Sequence, residues 1–124
     1  MSAFGAKLRR LEGGRVAFWC PGCGEAHQVT VGAGLARPRW DFNGDGDRPT
    51  FSPSILVRGT RDDLSDEEWD ALLKRTAGER EAMLADRRTS FVCHSYVREG
   101  RIQFLGDCTH ALAGQTVELP DFPA

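Results

Sequence analysis

Three stretches of this chain predict an α+β fold, mainly antiparallel β with a zinc-ribbon-like knuckle and a helical insert. The first is Cys20-Pro21-Gly22-Cys23-Gly24, two thiols three positions apart across a Pro-Gly turn, lying between segments of β pattern. The second is Leu64 to Arg88, where charge is dense and apolar residues recur at helical spacing. The third is Phe91 to Leu105, which alternates on both sides of Glu99-Gly100 and reads as a hairpin. With 124 residues, the simplest organisation is one domain over residues 1–124 with the helical insert at about 64–88.

Lys7 to Leu11, the turn at Gly13-Gly14 and Arg15 to Trp19 are expected to form two strands leading into the knuckle, and His27 to Val31 alternates as a third. Gly32 to Pro38 reads as a loop, Trp40 and Phe42 as core aromatics, and Asn43 to Asp47 as a turn-rich acidic loop. Pro49 to Ser54 then delivers the chain to a short strand, Ile55-Leu56-Val57, whose two preceding prolines suit an edge. Ser65 with Glu68 makes a capping box, followed by an apolar stripe of Trp69, Leu72 and Leu73, so a helix begins at Ser65. Gly78 is expected to end or bend it, with Glu79 to Arg88 as a second helical stretch. Thr116 to Leu119 reads as a last strand and Asp121 to Ala124 as a tail.

The net charge of −2 and a pI near 5.9 argue against a protein that neutralises phosphates, and there is no basic nucleic-acid module. Lys7, Arg9 and Arg10 are followed by Leu11-Glu12-Gly13-Gly14, where a signal peptide needs an apolar run, and no later stretch is long enough to span a bilayer. A cytoplasmic location, with neither nucleic acid nor membrane as partner, is the expectation. In a reducing compartment the four cysteines read as ligands before they read as disulfides.

Each of the three histidines lies within four residues of a cysteine: His27 after Cys23, His94 beside Cys93, His110 two past Cys108. A thioredoxin-type role for the CxxC pair requires a helix starting at the first cysteine, and the β pattern of His27 to Val31 leaves no room for one. A Zn²⁺ site is the reading the pair favours. Counting thiols gives Cys20, Cys23, Cys93 and Cys108; the alternative is Cys20, Cys23 and Cys93 with His94 or His110. In a regular strand Cys93 and His94 face opposite ways, so both reach one metal only across a bulge or a strand end. The surplus of thiols and imidazoles beside Glu25 and Asp107 is what a hydrolytic site needs, since a water on zinc requires a base. Asp41 to Gly46 matches the start of an EF-hand loop, but Ser52 stands where a bidentate Glu belongs, so calcium is not expected. Ser52 and Ser54 lack the Gly-x-Ser-x-Gly elbow and an obvious triad, and are expected to bond to backbone at an irregular strand.

The segments Phe18 to His27, Trp40 to Asp45, Pro49 to Leu56, Cys93 to Val97 and Gly106 to Gln115 resemble a small zinc-binding family of unknown function found in tailed phages and prophages, often mislabelled as ammonia monooxygenase or anaerobic dehydrogenase. Its distant relatives in operons for ubiquitin-like conjugation look like zinc-dependent peptidases. The resemblance implies Cys20, Cys23 and Cys93 as ligands, marks His94, Asp107 and His110 as site residues, and favours a histidine as fourth ligand. The expectation is zinc held by Cys20, Cys23, Cys93 and His94, with Cys108, His27 or His110 as the alternatives for the fourth place, polarising a peptide or isopeptide carbonyl of a ubiquitin-like modifier or a protein conjugate. Glu25, His110 or the Asp107-His110 pair would move protons. The competing expectation is a non-catalytic module whose zinc is structural and which holds a phage or host protein through Trp69 or the loop from Trp40 to Ser54.

Overall fold

A computed structural model describes residues 2–32, 34, 37–62 and 64–123. Of the loop expected at Gly32 to Pro38 and the tail from Asp121, Ala33, Leu35, Ala36 and Ala124 lie outside the described residues. The architecture is the mainly antiparallel α+β fold that the β patterning predicts. The first sheet runs β1 (Ser2–Phe4), β2 (Leu8–Leu11), β3 (Arg15–Cys20), β4 (Glu25–Thr30) in that order. The second has the order β10-β9-β8-β7, with β7 at Ile55–Asp62, β8 at Arg88–Arg98, β9 at Arg101–Phe104 and β10 at Thr116–Glu118. A two-residue pair, β5 (Asp41–Phe42) with β6 (Phe51–Ser52), joins them in sequence.

The chain divides into two compact units, Met1–Val57 with Val92–Ala124, and Arg58–Phe91. In the first, alternation decides what is buried. Val16, Phe18 and Cys20 on β3, Val29 on β4, Cys93 and Val97 on β8, and Ile102 and Phe104 on β9 form one core with Leu8, Phe51, Ile55 and Leu119. Each burial of such an apolar side chain contributes about 1.5–3 kcal/mol. The acidic loop is tied to the first hairpin by a close backbone crossing: a Cβ on Gly5 would collide with Gly46, and the Lys7 N–H donates to the Gly46 carbonyl at 3.0 Å. Asp45 Oδ1 accepts the N–H groups of Asp47 and Arg48 at 2.9 and 3.0 Å, which holds its carboxyl below the ordinary range.

The second unit contains α1 (Asp66–Leu73) and α2 (Ala77–Arg87). Ser65 caps α1 with the capping box expected of it. Only Leu72 of the expected stripe is buried; Trp69 is 38% and Leu73 69% exposed. Gly78 neither ends nor bends α1. That helix stops at Leu73, and Gly78 lies in the first turn of α2, where Thr76 accepts the Glu79 N–H and its hydroxyl bonds the Glu79 carboxylate at 2.9 Å. The Thr76-x-x-Glu79 cap outweighs the weak helix propensity of a glycine.

Candidate functional site

The knuckle is built by one hairpin. β3 ends at Cys20, the Gly24 N–H closes the turn on the Cys20 carbonyl at 2.9 Å, and the Cys23 N–H donates to Cys20 Sγ at 3.4 Å. The β3–β4 register sets His27 opposite Phe18, its ring against the Phe18 edge, so the imidazole is buried on the same side as Cys20. Cys93 arrives from β8 with its sulfur 3.8 Å from that of Cys20. The ligand atoms of Cys20, Cys23, His27 and Cys93 all lie within 4.8 Å of one another. A tetrahedral site with metal–sulfur bonds of about 2.3 Å spaces its sulfurs roughly 3.8 Å apart. His27 Nε2 is buried without a hydrogen-bond partner, which a metal bond would supply. Donor set and spacing therefore fit a metal ion.

The thiols carry a matching electrostatic signature. Hydrogen bonding with Cys93 pulls the Cys20 thiol down to about 4, and the same contact pushes Cys93 up. The pair gives up one proton readily and holds the other; a cation in place of that shared proton allows both to be thiolates.

His110 sits over this cluster, against Gly22, where any Cβ would collide with the imidazole. Its Nδ1 accepts the Leu112 N–H at 3.2 Å, so the neutral ring carries its proton on Nε2, which faces Cys93 Sγ at 3.5 Å. That geometry makes His110 a donor to a ligand sulfur. Cys93, Cys108 and His110 also lie within 4.8 Å of one another, but the Cys108 thiol is bonded at 3.2 Å to both the N–H and the carbonyl of His94.

The opposite face of β8 carries a second constellation. Strand alternation is unbroken here: Cys93 is 1% exposed and points to the core, while the neighbouring His94 is half-buried and points outward. His94 Nε2 lies 3.0 Å from Ser54 Oγ, and Nδ1 lies 3.2 Å from Asp107 Oδ2. An ionised carboxylate only accepts, so Nδ1 carries the proton and Nε2 is left to accept the Ser54 hydroxyl. Serine, imidazole and carboxylate thus stand in the order a nucleophile, its base and the base's orienter require. Ser54 precedes β7, where Ile55 is buried at 2% exposure, and its carbonyl accepts Trp40 Nε1 at 3.2 Å. Trp40 is in turn held by its N–H to the Thr30 carbonyl at 2.9 Å.

The structure therefore sets His27, where His94 had been expected, with Cys20, Cys23 and Cys93, and engages both ring nitrogens of His94 elsewhere. Asp107 meets His94, His110 meets Cys93, and Glu25 stands opposite Cys20 in the β3–β4 register. Ser54, expected to bond to backbone at an irregular strand, has the His94 imidazole as a partner. No local sequence signal marks it, because its partner stands 40 residues away in the chain.

Among the described residues no helix is long and apolar enough to cross a membrane. Neither a curated protein nor a solved structure matches the chain. A family model described as "Bacterial ubiquitination-like system serine protease (BubE)" matches residues 5–105, a span that contains the knuckle, Ser54 and His94, and the chain belongs to that family.

Proposed function

We propose that the chain is a serine peptidase of a bacterial ubiquitin-like conjugation system, with Ser54 as nucleophile, His94 as general base and acid, and Asp107 orienting the imidazole. The observation that carries this reading is the bridging of His94 between Ser54 Oγ and Asp107 Oδ2 at 3.0 and 3.2 Å. Ser54 Oγ attacks the scissile carbonyl as its proton passes to His94 Nε2. The imidazolium, steadied by Asp107, returns that proton to the leaving amine. A water then gives one proton to Nε2 and its OH to the acyl carbon; the bond from that carbon to Ser54 Oγ breaks, and Oγ takes the proton back from Nε2, which frees the acid product and restores both residues. The substrates are a ubiquitin-like modifier or its protein conjugates, cleaved at a peptide or isopeptide bond, with no role for nucleic acid or membrane. Free thiols at a ligand cluster suit the reducing interior of a bacterium, whether the gene is the host's or a prophage's.

The metal in this reading is Zn²⁺, held by Cys20, Cys23, Cys93 and His27. When bound it supplies a rigid cross-link between the knuckle and β8. Four protein donors complete a tetrahedral sphere, which supports a structural ion and leaves hydrolysis to the serine; this departs from the zinc-activated water expected from sequence.

The test is Ser54→Ala in the metal-loaded full chain. Turnover of a modifier-fusion substrate is expected to fall by about 10⁴-fold or more, with zinc content and melting temperature unchanged. Unaltered turnover in Ser54→Ala would remove the serine from the mechanism.

A further inference from the structure

Cys108 takes no part in the relay or in the four-donor set, yet it is 8% exposed and bonded twice to one residue. Its Sγ accepts the His94 N–H at 3.2 Å, and its S–H donates to the His94 carbonyl at 3.2 Å. The reason lies in the sheet. β8 and β9 pair in register from Arg98↔Arg101 to Ser95↔Phe104, and the next rung is half made: the Leu105 N–H donates to the His94 carbonyl at 2.9 Å, while the Leu105 carbonyl is taken by the Cys108 N–H at 3.2 Å as the chain turns away at Gly106-Asp107. His94 is the next residue on β8, and its N–H would be left without a strand partner. The thiol stands in for the missing half of that rung. One residue on, the Val92 N–H donates to Thr109 Oγ1 at 3.0 Å and the Thr109 N–H to the Val92 carbonyl at 2.9 Å, so the segment is laced to β8 two residues before the base as well as at it.

Cys108 is also the covalent neighbour of Asp107. With the Leu105 N–H, this side chain holds the backbone of the base, and through the chain it bears on the position of the carboxylate that must meet it. We infer that Cys108 is a positioning residue of the serine relay, a thiol clamp that sets the His94–Asp107 contact, and not a ligand of the metal. This inference rests on the serine-relay reading. Misplacement of a catalytic group by about 1 Å costs on the order of a hundredfold in rate, so loosening one end of a 3.2 Å contact should be visible in kinetics.

The test uses the zinc-loaded full chain and a fluorophosphonate, which modifies activated serines, as the probe. Wild type, Ser54→Ala, Cys108→Ser and Cys108→Ala are compared for labelling rate, zinc per chain, and hydrogen exchange of the His94 amide. Cys108→Ala is expected to keep its zinc, label about tenfold or more slowly and exchange the His94 amide faster. Serine keeps both a donor and an acceptor, so Cys108→Ser is expected to restore labelling and protection. Should Cys108→Ala fail to fold, Cys108→Val, which fills the space without either bond, replaces it. Wild-type labelling and amide protection in the alanine or valine variant would overturn the clamp, as would a serine variant as impaired as alanine. Zinc lost from both Cys108→Ser and Cys108→Ala would make Cys108 a ligand instead. Labelling that survives in Ser54→Ala would sink the relay itself, and the His94 exchange rates would still decide whether the thiol holds that backbone.

Discussion

The knuckle and the serine relay share one strand and are assembled in opposite ways. Three of the four knuckle donors, Cys20, Cys23 and His27, come from a single hairpin, and only Cys93 arrives from afar. The relay is wholly non-local: Ser54 and His94 are 40 residues apart, His94 and Asp107 are 13 apart, and each stands on a different element. The knuckle is largely buried, whereas the Asp107 carboxylate is 55% exposed. The two sites meet at one peptide bond, Cys93–His94. Because neighbours on a strand face opposite ways, β8 offers a sulfur to the metal side and an imidazole to the serine side without any bulge. A metal ion on the four donors would then cross-link the strand at one residue's remove from His94.

Exchanging the fates of two histidines is the strongest way to break that division. His94→Ala is expected to lower turnover by about 10⁴-fold while zinc content and melting temperature stay at wild-type values. His27→Ala is expected to release zinc and cost on the order of 3 kcal/mol or more of stability, with activity lost only as the chain unfolds. Zinc content and thermal melts of both proteins read the difference directly. A His94→Ala protein devoid of zinc would return His94 to the metal.

Asp107→Asn should have a smaller effect. Removing the carboxylate of a buried triad costs about 10⁴-fold, largely through the wrong imidazole tautomer. Asp107 is 55% exposed, so water screens its charge and can replace part of its hydrogen bonding. The expected fall in kcat is therefore about a hundredfold to a thousandfold, with KM little changed. A loss as large as that of Ser54→Ala would show that the carboxylate is sealed from water when substrate is bound.

The same contrast separates what the string of residues carries from what only folding creates. The knuckle, the hairpin from Phe91 to Leu105 and the capped start of α1 are set by local spacing, and each is visible in the string of residues. The metal donors from the hairpin were within reach for the same reason, except that His27 hides as an ordinary inward residue of an alternating strand. Ser54 was not legible. A serine becomes a nucleophile through neighbours brought by folding, and nothing in Ser52-Pro53-Ser54 announces an imidazole 40 residues on. The face rule that separates Cys93 from His94 was available from the pattern alone. Resolving it required knowing that β8 runs unbroken through both residues.

His110 is where the two regions are most finely coupled, and it gives the smallest expected effect. Its Nε2–H faces Cys93 Sγ at 3.5 Å, so with a metal on Cys93 it would stabilise that thiolate without being a ligand. Removing such a donor from beside a metal typically costs about 10- to 100-fold in affinity. The lower end is expected here, because the contact is long and Cys93 keeps its bond to the metal. His110→Ala should thus still bind one zinc, release it about tenfold more readily to a competing chelator, and label with a fluorophosphonate near the wild-type rate. The ring also packs edge-on against Phe104 at 4.4 Å between centroids, so alanine leaves a cavity. His110→Phe keeps that packing and removes the Nε2–H donor together with the Nδ1 acceptor of the Leu112 N–H. Weakened zinc retention in both variants would assign the effect to the ring's hydrogen bonds, weakening in alanine alone would assign it to packing, and lost labelling with zinc retained would move His110 from the metal's support into the reaction.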